Sequence, residues 1–401
     1  MTETATSTMQ RLTAILGAEH GKDSSRVAFV RSPASLTLMG DALEDLAGFV
    51  LAVSVEPETW LAFRPRSDGL VRLAGYVSGS TKEAGSFRIN TLAPETRPSR
   101  RTWLDHAAGM AWSMREAGLP IHGFDGVVES AVAPWSFSAT GVAEAAVETA
   151  VGFALLGACG VPAPNVIAAL AQRAEREYVD VPGQIAGSLM AAGGQAAKAI
   201  LLDGRSLDSR FALLPPGLSI VVARVESRVS AEDHADLLRR RRLECGRAVL
   251  LLAERIPGLA SLRELDLAAI RRNRRHLPDQ LARRLAHFVS ENSRVLATAG
   301  ALETGDLDGV GRLFAEAENS ARTLYEIGSP EQAAMVETVR RVRGVVASRT
   351  ICSGPDCTLN LVLNDAVPAA IKAIEEVFPA KTRRAATAYR IGIVNGASLA
   401  S

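Results

Sequence analysis

Three stretches of the 401-residue chain concentrate side chains that could do chemistry. The first follows Gly40, where Asp41, Glu44 and Asp45 bring carboxylates together in one short segment. Such a cluster either solvates a turn or holds an amine or a cation. The second is Ser136, Ser138, Thr140 and Gly141, with Glu144 one turn inside the helix that follows. Hydroxyls and unpaired backbone N–H groups at a helix start attract anions, since the helix dipole is positive there. Trp135 and Phe137 put aromatic bulk into the same stretch. The third is Cys352-Ser353-Gly354-Pro355-Asp356-Cys357, where proline fixes the backbone and removes a donor. With Cys159 and Cys245 far away, the cysteines match no usual zinc spacing, so reduced thiols and no metal are predicted. Arg239-Arg240-Arg241-Arg242 and Arg271-Arg272-Asn273-Arg274-Arg275 read as solvated helix faces, not nucleic-acid patches.

These stretches must be held by strands and helices that alternate irregularly along the chain. Short apolar runs such as Val27-Ala28-Phe29-Val30 and Val50-Leu51-Ala52-Val53, broken by Pro, Gly and Asp, predict strands and hairpins over residues 26–76. Helical spacing then runs from Trp103 to Gly118, and Val127–Val132 reads as a strand. An Ala-rich helix is expected over Gly141–Leu156 and a second over Pro164–Arg176. Strands Lys198–Leu202 and Leu218–Val225 precede a helix through Arg239–Glu254. Helices dominate Leu262–Val342, and strand, helix and strand close the chain as Leu359–Leu363, Ala366–Val377 and Ala388–Val394. No repeat and no low-complexity linker interrupts this order, and without strict βαβ alternation the class is α+β.

A chain of this length exceeds one small core, so two domains are expected. Lys+Arg 45 against Asp+Glu 44 leaves a formal charge of +1, which gives no global field for nucleic acid or an anionic membrane. Met1 to Ala18 lacks the basic start and apolar centre of a signal peptide, and no stretch approaches the roughly 20 apolar residues of a spanning helix. A cytoplasmic location is therefore expected.

In order and spacing, a series of signatures is similar to the galactokinase family over nearly the whole chain. They include Gly48-Phe49-Val50-Leu51, Trp103 with Gly109 before Gly123-Phe124-Asp125, and Glu177-Tyr178-Val179-Asp180-Val181-Pro182. Leu201-Leu202-Asp203-Gly204-Arg205-Ser206-Leu207, Glu291-Asn292-Ser293-Arg294-Val295-Leu296, Gly305-Asp306-Leu307 and Leu324-Tyr325-Glu326-Ile327-Gly328-Ser329-Pro330 follow. The resemblance implies the two-domain fold of the GHMP small-molecule kinases, which include homoserine and mevalonate kinases. Its parts would be an N-terminal extension over 1–25, a ribosomal-S5-like domain over 26–210 and a ferredoxin-like domain over 211–401, with the active site in the cleft between the two domains.

Galactokinases position ATP and a sugar hydroxyl, with a carboxylate as proton acceptor and an arginine steadying the transferring charge. Each part of that machinery is altered here. The family's Pro-Gly-Arg-Val-Asn-Leu-Ile-Gly-Glu-His-Thr-Asp-Tyr becomes Pro33-Ala34-Ser35-Leu36-Thr37-Leu38-Met39-Gly40-Asp41-Ala42-Leu43-Glu44-Asp45. The catalytic arginine thus falls on Ser35 and the sugar-binding histidine on Ala42, and a hydroxyl cannot replace a five-donor cation. The catalytic aspartate falls on Gly187 in an ungapped alignment, with Asp180 the nearest upstream carboxylate. The phosphate loop, represented by Pro134 to Gly141, is two residues shorter than the family's. It carries Trp135 and Phe137 as cleft fillers where bare backbone N–H groups should cradle anionic oxygens. The third glycine-rich signature falls on Cys352 to Cys357, with Ser353 and Gly354 remaining and Asp356 bringing charge toward the phosphates. The sugar-contacting tyrosine falls near Asp236. The former sugar pocket is expected around Asp41, Glu44, Asp45, Asp180 and Asp236, and His287 matches a structural family histidine.

The expected function is that of a galactokinase-like protein without sugar-kinase activity, a pseudokinase or a scaffold that binds a small molecule or protein partner. No cofactor is expected on that reading. The alternative is a divergent kinase, or another enzyme, for a non-galactose small molecule, and only a divergent kinase would require ATP and Mg²⁺.

Overall fold

The computed structural model describes residues 5–21, 26–41, 43–77, 82–96, 102–131, 142–157, 163–181, 183, 185–352 and 354–400. Among the described residues, twelve strands form two sheets. The strands are β1 (Ala28–Met39), β2 (Phe49–Arg66), β3 (Leu70–Val77), β4 (Lys82–Arg88), β5 (Gly123–Ser130), β6 (Lys198–Asp203), β7 (Ser209–Leu213), β8 (Leu218–Val225), β9 (Val345–Thr350), β10 (Cys357–Leu363), β11 (Ala386–Ile391) and β12 (Ser398–Ala400). The first sheet runs β12-β1-β2-β5-β3-β4, and β6 pairs with β2 and carries β7 beside it. Every pairing is antiparallel except β3 with β5. The second sheet, β11-β8-β10-β9, is antiparallel throughout. Segregated helices over two largely antiparallel sheets make the class α+β, as expected.

Alternation sets which face of each strand is buried, and the helices cover those faces. Trp103–Glu116, Val142–Leu156 and Pro164–Arg173 pack Met110, Val151 and Ile167 against Val30, Phe63 and Phe124 of the first sheet. The helices Asp279–Thr304 and Leu307–Ser320 supply Val295, Leu302 and Phe314 to a core that joins β1 and β2 to β8, β9 and β10 of the second sheet. The region from Pro164 onward is not one α-helix. It loosens into a π-helical turn over Ala174–Val179, ended by Asp180 in a left-handed conformation (φ 61°).

The N-terminal extension is a helix, Ala5–His20, whose Leu12 and Leu16 are fully buried against Phe29, Ala62 and Val127. It is further tied by an Arg11–Glu129 ion pair and by Arg64, which donates to the Gly21 carbonyl at 2.6 Å. Buried leucines a turn apart explain the docking. Residue 210 lies within β7, and the last strand, β12, returns to pair with β1 through Phe29 and Ala400. A three-residue edge strand carries no periodicity that could reveal it.

Both arginine runs are put to structural use. Arg241 is buried and donates to the Tyr325 carbonyl at 2.6 Å and to Glu244 at 3.0 Å, while Arg274 donates to the Leu277 carbonyl at 3.0 Å. Cys245, Cys352 and Cys357 are buried free thiols. Among the described residues, no helix is long and apolar enough to cross a membrane.

His287 lies inside the helical layer, its Nδ1 2.8 Å from Ser320 Oγ and its ring stacked on Tyr325 at 4.5 Å between centroids. Burial, reinforced by nearby Arg294, pushes its pKa down to about 3. The unfolded chain takes up this proton near pH 6.5, whereas the folded chain does not until far lower pH. Stability should therefore fall by up to about 1.4 kcal/mol per pH unit on acidification from about 6.5 toward 3. Urea midpoints across that window should drop less steeply in His287→Gln. Equal slopes in both proteins would show that His287 does not contribute.

Candidate functional site

The turn after β1 requires Gly40, because its φ is +88° and a Cβ there would stand 2.3 Å from the Phe49 carbonyl oxygen. That turn delivers Asp41 inward. Asp41 is buried, and its carboxylate accepts from Arg349 of β9 and from the Cys352 backbone N–H. Arg349 also donates to the Leu38 carbonyl at 3.0 Å. Burial works against the guanidinium charge, yet Asp41 beside it holds its pKa above the ordinary arginine value. Arg349 therefore fastens the second sheet to the end of β1.

Glu44 turns elsewhere, accepting from the Ala186 backbone N–H at 2.9 Å. It thereby satisfies one of the unpaired donors at the start of the helix Ile185–Gly193. The expected acidic cluster is thus divided, with Asp41 in an ion pair and Glu44 at a helix cap, and neither carboxylate is left as part of an open cation site. Asp45 lies on the intervening turn, but its side chain is outside the described residues.

Gly187 stands in the first turn of that capped helix. A Cβ added there would meet Ala145 Cβ at 3.4 Å and Ser35 Oγ at 3.5 Å, which is ordinary van der Waals contact. Ser35 of β1 and Gly187 are 152 positions apart in sequence and come together in space, with Ala145 of the helix Val142–Leu156 as third neighbour. These three contribute one hydroxyl and no charge.

Asp180 is exposed at the end of the π-helical turn, where its backbone N–H donates to the Glu175 carbonyl. Asp236 lies on the helix Ala231–Ala253 and pairs with Arg239 one turn on. The segment from Pro134 to Gly141, with Trp135, Ser136, Phe137, Ser138 and Thr140, lies outside the described residues, as do Ala42 and Ser353. Glu144 is on a described helix, without a described side chain.

The third stretch has its backbone engaged within the protein. The Cys352 N–H is bound to Asp41, and the Gly354 N–H donates to the Ile351 carbonyl at 3.3 Å. Gln332, held by a capping box with Ser329, donates to the carbonyls of Gly354 at 3.0 Å and Cys357 at 2.7 Å. His234 Nε2 lies 2.9 Å from the Cys352 carbonyl oxygen. Asp356 does not present a lone charge, because Arg224 of β8 donates to it at 2.7 Å. Arg224, Gln332 and Arg349 were not anticipated from the sequence, and only the presence of buried charges demanding partners could have signalled the last of them.

No family model matches the chain. It is 32% identical over 361 residues to a galactokinase of Roseiflexus sp. (strain RS-1), covering 90% of each chain. It is 31% identical over 353 residues to the galactokinase of Homo sapiens, covering 86% of each. Among solved structures, a Lactococcus lactis galactokinase complexed with galactose superposes with a TM-score of 0.85 at 24% identity, covering 98% of this chain and 99% of that one. A Methanococcus jannaschii mevalonate kinase matches with a TM-score of 0.59 at 11% identity, covering 93% and 100%. The chain belongs to the galactokinase family of the GHMP small-molecule kinases.

Proposed function

We propose that the protein is a galactokinase relative without sugar-kinase activity, whose cleft now serves to bind a small molecule or a protein partner in the cell interior. One observation carries this reading. Ser35 and Gly187, which the family resemblance matches to its arginine and aspartate, occupy one place with Ala145, so charge stabiliser and proton acceptor are missing together. Phosphoryl transfer is catalysed almost entirely by positioning and electrostatics, and a neutral Ser-Gly-Ala contact supplies little of either. The internally bonded backbone of Cys352 and Gly354 adds support, since N–H groups already donating to Asp41 and Ile351 are not offered to a phosphate. In sequence, the stretch matched to the family's phosphate loop is two residues shorter and carries Trp135 and Phe137, which supports the same reading.

A divergent kinase for a non-galactose substrate is favoured by a different observation. Arg224 neutralises Asp356, which removes the like-charge penalty against a nucleotide at that end of the cleft. Calorimetric titration with ATP and Mg²⁺ separates the readings. The proposal predicts no binding, or a dissociation constant in the millimolar range, worth at most about 4 kcal/mol. Micromolar binding competed by ADP would reject it in favour of the divergent kinase, with Ser138, Thr140 and Glu144 as the first positions to substitute.

A further inference from the structure

Helices Trp103–Glu116 and Val142–Leu156 and the π-helical turn Ala174–Val179 pack side by side. At their junction His106, Glu148 and Glu175 bring their ligand atoms within 4.8 Å of one another. Glu148 is fully buried and Glu175 is 2% exposed, while the His106 side chain retains 13% exposure. His106 Nδ1 lies 2.8 Å from Glu148 Oε1. We propose that His106, Glu148 and Glu175 form a protein-only binding site for one divalent transition-metal ion of the zinc class.

The geometry points this way: one imidazole nitrogen and two carboxylates from three separate elements converge on one place. Ligand atoms about 2.1 Å from a tetrahedral zinc stand about 3.4 Å apart. The present spacing, from 2.8 Å to at most 4.8 Å, brackets that value, so small rotamer adjustments would close the site. One nitrogen with carboxylate oxygens favours zinc or a neighbouring transition ion over Mg²⁺ or Ca²⁺, which prefer oxygen donors and more of them. The partial exposure of His106 leaves room for a water ligand and an entry path. A π-helical turn contributing a ligand fits the frequent occurrence of such turns at functional sites.

The three residues are distant in sequence, with 42 positions between His106 and Glu148, so no ligand spacing announces them. Glu148 lies one helical turn past Ala145, the neighbour of Gly187, and a bound ion would fasten the helices directly beneath that contact. The site does not depend on what the cleft binds, because no phosphate is needed to complete it.

The test uses the full chain without an affinity tag, stripped with chelator and titrated by calorimetry with Zn²⁺, in the absence of nucleotide. Co²⁺ then serves as the spectroscopic probe. The expected result is one saturable equivalent with a dissociation constant on the order of micromolar or tighter, and visible Co²⁺ bands of low-coordinate geometry. Glu148→Gln preserves shape and a hydrogen bond to His106, and His106→Asn alters the less buried member. Each should weaken binding about 100-fold or more and abolish the bands, with circular dichroism confirming the fold. A merely structural His106–Glu148 pair would change stability in these variants and leave the spectrum of the wild type without bands. Absence of a saturable equivalent in the wild type overturns the proposal. So does binding that appears only with nucleotide, or that persists unchanged in both variants.

Discussion

Replacing Arg349 with methionine is expected to destabilise the protein by about 3–5 kcal/mol. Methionine fills much of the volume but leaves the Asp41 carboxylate buried without its cation, and the Leu38 carbonyl loses a donor. Breaking one side of a buried pair costs far more than removing both, since desolvation of the remaining charge goes uncompensated. Asp41→Asn added to Arg349→Met should therefore recover a substantial part of the loss, although the Cys352 N–H would then face a weaker acceptor. Chemical denaturation of the four proteins completes the double-mutant cycle. A loss below about 1 kcal/mol for Arg349→Met would mean that the pair does not fasten β9 to β1.

How much of this was legible in the sequence differs from place to place. The helices at Trp103, at Val142 and at Pro164 announce themselves through apolar spacing, and the strands around Val50 and Val221 through short β-branched runs. The family signatures single out Ser35 and Gly187 separately, and only the structure shows the two side by side. What could not be read were partnerships between distant residues. Asp41 and Arg349 are separated by 308 positions, and Glu44 and Ala186 by 142. A row of acidic residues looks alike whether it faces solvent, caps a helix or closes a buried ion pair, because tertiary folding decides which partner arrives. Asp356 is a further case, since its partner Arg224 reaches it from another strand. The leucines of the first helix were visible, but not the sheet surface that receives them.

The second large effect concerns catalysis. On the proposed reading, the arginine and the aspartate are lost together, and a charge-stabilising arginine alone is worth about 10³- to 10⁵-fold in related phosphoryl transfers. Restoring both, as Ser35→Arg with Gly187→Asp, should give a folded protein, since the Gly187 position accepts a Cβ at ordinary contact distance. We expect that variant to remain inactive toward galactose. The backbone donors at Cys352 and Gly354 stay bound within the protein, and Trp135 and Phe137 stay in the shortened loop. Recovered activity in the double variant would show that the two side chains matter more than the loops.

The most direct measurement is galactose-dependent ADP release by the unmodified protein with ATP and Mg²⁺, followed by a coupled assay and compared with the rate without sugar. The account predicts no galactose 1-phosphate and no sugar-dependent ADP above that background. Turnover at an ordinary enzymatic rate, on the order of 10 per second, would contradict it, and would mean that this cleft transfers phosphate without the family's arginine and aspartate.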